Sequence, residues 1–124
     1  MTEQRQALGL LGERLAARWL LRAGWTFVAH RYRVGRRDLD LIMQRGTTIA
    51  FVEVKARRGA QFGSPIEAVD PRKQRALSQA AAAWVDRCGA PGWSYQFDVV
   101  GVLISGERVR IRHISDAFSV KMTE

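Results

Sequence analysis

The chain has 124 residues, enough for one compact domain spanning residues 1–124 and too few for two domains of ordinary size. Hydrophobic residues make up 47% and charged residues 26%, a composition that excludes a disordered or fibrous protein. The formal net charge is +8, and 17 of the 20 basic residues are arginine. This charge favours a polyanionic partner, with the arginine bias of a GC-rich genome as the alternative explanation.

The cysteine content and the N-terminal segment indicate the cellular compartment of the protein. Cys88 is the only cysteine, which excludes an internal disulfide and a cysteine-based zinc site and indicates a cytoplasmic protein. Charged residues interrupt the apolar positions of residues 1–24, so we expect neither a signal peptide nor a membrane-spanning segment.

A helix is predicted first, from Glu3 to Ala23, with Gly24 as its stop. Its apolar residues recur at steps of three and four, the period of an amphipathic helix. They are Leu8, Leu11, Leu15, Trp19 and Leu20.

Three strands are predicted next. Aromatic and β-branched residues favour a strand at Trp25–Arg33, and a second apolar alternation follows at Asp38–Met43. A turn containing Gly46 leads into Thr47–Lys55, which should pair antiparallel with the second strand.

The second half of the chain adds a helix and a hairpin. Residues 56–71 read as a loop with a short helical turn, after which Asp70 caps a helix from Pro71 to Cys88. Two strands follow, Tyr95–Ile104 and Arg108–Ile114. We therefore predict an α/β domain with a mixed five-stranded sheet flanked by helices.

Charged side chains inside the third strand raise the question of function. Glu53 and Lys55 lie two residues apart and so share one face of the strand. Asp40 on the second strand lies opposite Phe51 if the turn consists of Arg45 and Gly46, and opposite Glu53 if the turn has four residues. Both registers put the two carboxylates and the lysine on one face.

Two close carboxylates repel each other and need a cation between them. Mg²⁺, or Mn²⁺ in its place, matches a donor set of Asp40 and Glu53, and Lys55 would then orient or deprotonate a water. That chemistry is phosphodiester hydrolysis. An ion pair between Glu53 and Lys55 at the end of the strand is the structural alternative.

The spacing D-x12-E-x-K from Asp40 to Lys55 resembles the PD-(D/E)xK nuclease superfamily. Over about Leu8 to Val102 the chain also resembles the YraN family, through "GLLGERLAARWLLRAGW", "HRYR", "RDLDLI", "FVEVKARR", "GSPIEAVDPRKQRAL" and "YQFDVVGV". That family consists of predicted endonucleases similar to archaeal Holliday-junction resolvases. The resemblance implies a restriction-endonuclease-like core and structured DNA, branched DNA included, as the substrate.

The resemblance also assigns residues. It implies catalytic roles for Glu13, Asp40, Glu53 and Lys55, with Asp40 and Glu53 as metal ligands and Glu13 as an auxiliary acid. Lys73 and Asp98 fall on recurrent family positions whose roles stay open. The pattern departs from the family at Arg37 and Asp38, so Asp40 is the expected ligand rather than Asp38.

Basic residues beside these acids are the expected contacts to nucleic acid. They are Arg36, Arg37, Arg57, Arg58 and Lys73. His30 and His113 have no partner at metal-ligand spacing and are expected to be structural or on the surface. A homodimer would suit a four-way junction. The rival function is a nucleic-acid-binding module without catalysis in a DNA repair or processing assembly.

Overall fold

The computed structural model describes residues 2–59 and 64–119. Its elements follow the predicted order of helix, three strands, helix and two strands. They are α1 Glu3–Arg22, β1 Thr26–Val34, β2 Arg37–Arg45, β3 Thr48–Arg58, α2 Pro71–Cys88, β4 Ser94–Ser105 and β5 Arg108–Phe118, with a 3-10 turn at Pro65–Ala68. β3 runs three residues beyond its predicted end. Residues 60–63 of the predicted loop lie outside the described residues.

Side-chain caps set the starts of both helices. The Thr2 hydroxyl accepts the backbone N–H of Arg5 at 3.2 Å, and the Asp70 carboxylate accepts that of Lys73 at 2.8 Å. Pro71 fits the first position of α2 because that position needs no N–H donor.

The sheet has the strand order β1-β2-β3-β4-β5. β3 and β4 are parallel, and the other three neighbouring pairs are antiparallel. The mixed five-stranded sheet is confirmed, and its two flanking helices make the architecture consistent with a restriction-endonuclease-like core.

Each helix covers one face of the sheet, because alternate residues of a strand point to opposite faces. Leu20 of α1 packs in a core with Ala50 and Val52 of β3, whereas Trp84 of α2 packs in a second core with Ile49 and Phe51 of the same strand. The sheet is therefore the central layer of three.

The buried face of α1 matches the predicted apolar stripe only in part, because Leu20 is buried and Leu8 and Leu15 pack against the core. Leu11 and Trp19 are 39% and 44% exposed, although both belong to the predicted apolar stripe. Besides Leu20, the residues of α1 that are buried are Gly12, Glu13 and Ala16, which the leucine period does not indicate. Small side chains turn towards the sheet because α1 approaches β3 so closely at Gly12 that a Cβ there would lie 2.5 Å from the Ala56 Cβ.

The hairpin between β2 and β3 fixes the register that the sequence left open. Arg45 pairs with Thr48 and Leu41 with Val52, so the turn consists of Gly46 and Thr47. Continued by one pair, this register sets Asp40 opposite Glu53. The four-residue turn was wrong, but the pairing that it implied is the one observed.

Candidate functional site

Asp40 and Glu53 lie where the ladder between β2 and β3 stops. The last registered pair is Leu41 with Val52. Beyond this pair, the Asp40 side chain replaces the backbone of β2 as the hydrogen-bond acceptor for β3. Its Oδ2 accepts a hydrogen bond from the Val54 N–H at 2.9 Å. The carboxylate of Asp40 is thereby held in the gap between the two strands, next to Glu53.

The electrostatic consequence is a large shift at Asp40. Burial of the carboxyl, the charge of Glu53 and a hydrogen bond to Glu53 together raise the pKa of Asp40 to about 8. The Val54 N–H opposes the shift and the more distant charge of Glu13 adds to it. Near neutral pH the two carboxyl groups therefore hold a proton between them.

Lys73 is the amine that contacts this acid pair. Its Nζ lies 2.9 Å from Glu53 Oε2, where the Glu53 side chain is only 13% exposed. Burial lowers the pKa of Lys73, but the hydrogen bond and the charge of Glu53 outweigh burial and raise it overall. Lys73 was predicted to contact nucleic acid, and here it is an ion-pair partner of the acid centre.

Glu13 reaches the same end of the sheet from α1. Its buried carboxylate is bonded to His30 Nε2 at 2.6 Å and accepts a hydrogen bond from Arg31 Nε at 2.9 Å. Arg31 has a φ of 51°, a left-handed conformation that costs energy in a non-glycine residue and lets two consecutive side chains of β1 reach one carboxylate.

These Glu13 contacts qualify the sequence prediction. Glu13 is buried, as expected for an auxiliary acid. The partnership of His30 and Arg31 was missed, because a single left-handed residue inside a strand leaves no signal in the hydrophobic pattern.

Lys55, two residues after Glu53 on β3, does not pair with these acids. It is exposed, and among residues 2–59 and 64–119 it forms no ion pair within 4.0 Å. It lines an open groove of about 660 Å³ between α1 and the end of β3. The groove is formed by Arg5, Leu8, Gly9, Val54, Lys55, Ala56, Arg57 and Arg58.

This groove brings four cationic side chains around a floor that includes Gly9 and Ala56. Arg57 and Arg58 were predicted to contact nucleic acid, whereas Arg5 was missed because 49 residues separate it from Lys55, the next cation of the groove along the chain. The other two predicted arginines, Arg36 and Arg37, line a separate open hollow of about 400 Å³ with Val34, Gln79 and Ala80 of the α2 side.

Asp98 and Asp38 stand outside the acid pair. Asp98 is fully buried and bonded to His113 Nε2 at 2.7 Å, and it accepts hydrogen bonds from Gln96 Nε2 and the Asp116 N–H at 2.9 and 3.0 Å. These contacts satisfy a buried carboxylate, which fits a structural role for Asp98 and His113 in joining β4 to β5. Asp38 is exposed, and its Oδ1 lies 3.5 Å from Nη1 of Arg33.

Two absences complete the description. In the described part of the chain, no three or more histidine, cysteine, aspartate or glutamate side chains form a group that could hold a metal ion. Within the same residues, no helix has the length and apolar character needed to cross a membrane.

Comparison with known proteins gives the family. The profile of the uncharacterised protein family UPF0102 matches residues 12–102. A UPF0102 protein of Alkaliphilus metalliredigens is 39% identical over 91% of this chain and 98% of its own length. UPF0102 proteins of Nocardia farcinica and Geobacter sulfurreducens are 44% and 40% identical, over 92% and 91% of this chain and 91% and 89% of their own lengths. The chain therefore belongs to the uncharacterised protein family UPF0102, the YraN family that its motifs resemble.

Proposed function

We propose that this protein is a metal-dependent endonuclease that hydrolyses phosphodiester bonds in structured DNA, branched DNA included. The observation that carries the proposal is the acid pair of Asp40 and Glu53, held at the point where the β2–β3 ladder stops. Two carboxyl groups that share a proton at neutral pH present a place for a cation. The basic groove beside them supplies the complement to a polyanion.

The donor set fits magnesium. Mg²⁺ keeps several of its waters and takes one or two carboxylates from a protein, so Asp40 and Glu53 suffice, and Mn²⁺ accepts the same oxygen donors. When bound, such a cation supplies charge that offsets the developing negative charge on a phosphate and acidifies a water.

The chain's own residues take the remaining roles. Lys55 follows Glu53 on β3 and is exposed, so its ammonium is available to orient a water or a phosphate oxygen. Glu13, paired with Arg31 and hydrogen-bonded to His30, acts as the auxiliary acid that keeps these two side chains in place. Arg5, Arg57 and Arg58 would hold one stretch of the phosphate backbone, with Arg36 and Arg37 on the other side.

A nucleic-acid-binding module without catalysis is the second candidate. The observation in its favour is that two of the acids already have cationic partners: Glu53 is paired with Lys73, and Glu13 with Arg31. In that function the acids would stabilise the end of the sheet, and the groove would bind DNA within a repair or processing assembly.

The setting of the activity follows from the substrate. We place it in the cytoplasm, where DNA is found and where the exposed thiol of Cys88 stays reduced. A homodimer related by a two-fold axis would present two acid centres to the paired strands of a four-way junction.

A nuclease assay over a panel of DNA structures tests the proposal. The panel contains single strands, duplexes, flaps and four-way junctions, each incubated with Mg²⁺, Mn²⁺ or EDTA. We expect cleavage of at least one structured member with either metal and none with EDTA. A protein that binds members of the panel but cuts none of them in either metal would leave the binding module as the function.

A further inference from the structure

Lys73 occupies a position that its own helix does not favour. It lies in the first turn of α2, where the positive end of the helix dipole disfavours a cation, although the Asp70 carboxylate caps that end of the helix. Its side chain crosses from α2 to β3 and ends 2.9 Å from Glu53 Oε2. The contact with Glu53 therefore accounts for the charge at this position.

Lys73 and Glu53 differ in how exposed and how flexible their side chains are. Glu53 is 13% exposed and fixed on a central strand, whereas the Lys73 side chain is 47% exposed on a flexible four-carbon stem. An ion pair with one half-exposed partner contributes little stability, so the Lys73 ammonium can move away from Glu53 without unfolding the residues around it.

We infer that Lys73 is a displaceable counter-ion of the acid pair, which occupies Glu53 in the absence of a divalent cation and gives way when that cation binds. The inference rests on the proposed function, because it concerns the same two carboxylates. Lys73 and a divalent cation repel each other, and both would draw on the Glu53 carboxylate, so they would compete for this site. The charge of Arg37 is close enough to lower the pKa of Lys73, so a displaced Lys73 could join Arg37 on a phosphate, the contact that the sequence predicts.

Competition predicts that removing the ammonium tightens metal binding. Lys73→Met keeps a long side chain but no charge, and we expect its affinity for Mn²⁺ to rise about tenfold, the scale on which neighbours of a metal site act. Lys73→Arg keeps the charge and should stay within about threefold of the wild type. Arg72→Met is the matched control, since Arg72 is exposed and forms no ion pair in the described part of the chain.

The measurement is the concentration of free Mn²⁺, followed by electron paramagnetic resonance as the full chain is titrated, with circular dichroism to verify folding. If Lys73→Met does not fold, Lys73→Gln replaces it, because its neutral amide can still donate to Glu53. Tighter binding by the neutral variant alone supports the inference. Unchanged or weaker binding overturns it, and so does an equal gain in Arg72→Met.

The result also separates this inference from the proposed function. A wild-type protein that binds Mn²⁺ and cuts DNA, beside a Lys73→Met protein of wild-type affinity, would reject the counter-ion and keep the nuclease. Failure of every variant to bind Mn²⁺ would reject the metal site, and the counter-ion with it.

Discussion

At Asp40 the cost of burying a charge is larger than the gain from the hydrogen bond that the Val54 N–H donates to it. The Val54 N–H favours the ionised carboxylate, yet burial and the charge of Glu53 raise the pKa of Asp40 from 3.8 to about 8. Between about pH 4 and pH 8 the folded chain therefore keeps a proton on Asp40 that the unfolded chain has already released. The stability that this proton contributes is complete below pH 4 and is lost as the pH rises through 8.

Asp40→Asn should mimic the protonated acid, because its amide can accept from Val54 and donate to Glu53. We expect the stability of the variant relative to the wild type to rise by on the order of 3 kcal/mol between pH 5.5 and pH 8.5 in EDTA, because only the wild type loses a proton from its folded state over that range. Urea unfolding at both pH values measures the difference. Asp38→Asn, which removes an exposed carboxylate, should change stability by less than about 0.5 kcal/mol. An Asp40→Asn protein that is less stable than the wild type at pH 8.5 would refute the shared proton.

At the same scale, sequence reasoning found the acids and missed their partners. Asp40 and Glu53 were predictable because the alternation of a hairpin puts them on one face in either register. Lys73 on Glu53 and Arg31 on Glu13 were not, because each contact joins different elements through a side-chain conformation. Such contacts depend on tertiary packing, which no local pattern encodes.

At the scale of the element, α1 shows why a helix is easier to predict than its buried face. The period of its leucines correctly indicates a helix. The face against the sheet is instead selected by backbone distance, since Gly12 allows α1 to approach Ala56 and Val54 of β3. Burial of this stripe positions Glu13, so the approach of the helix also builds the site.

Two glycines of α1 give opposite predictions for the same substitution. Gly12→Ala adds a Cβ 2.5 Å from the Ala56 Cβ and should lower the free energy of unfolding by about 1–3 kcal/mol. Gly9→Ala meets only ordinary contacts, at 3.7 and 3.9 Å, and should raise it by about 0.5–1 kcal/mol through helix propensity. Thermal and urea unfolding of the two variants measure both changes in the free energy of unfolding. Equal effects of the two changes would contradict the close packing of α1 on β3.

At the scale of the whole molecule, the net charge of +8 has a definite distribution. One group of cations surrounds the groove on the α1 side, and a smaller one lines the hollow on the α2 side. The element order was predictable from periodicity and turn residues, which are local. The parallel pairing of β3 with β4 and the entry of Arg5 into the groove join distant parts of the chain, so neither could be read from local patterns.

Arg5 provides the test of the groove. Arg5→Ala should weaken DNA binding and reduce the slope of log affinity against log salt by about one unit, because a phosphate contact releases a counterion. Arg14→Ala is the matched control: nine residues further along α1, it points to the opposite side of the helix and is exposed. Fluorescence anisotropy over a range of NaCl concentrations in EDTA measures both. Identical behaviour of the two variants would exclude the groove as the binding face.

Glu53→Gln most directly tests whether the molecule cuts DNA or only binds it, when cleavage and binding are measured on the same substrate. The account predicts that the wild type cuts with Mg²⁺ and is stopped by EDTA, whereas the variant melts normally, binds DNA at least as tightly and does not cut. Removing a negative charge beside the phosphate accounts for the retained affinity, and loss of a metal ligand accounts for the lost cleavage. Cleavage by Glu53→Gln at the wild-type rate, or a wild type that binds the DNA and leaves it intact in Mg²⁺, would contradict the account.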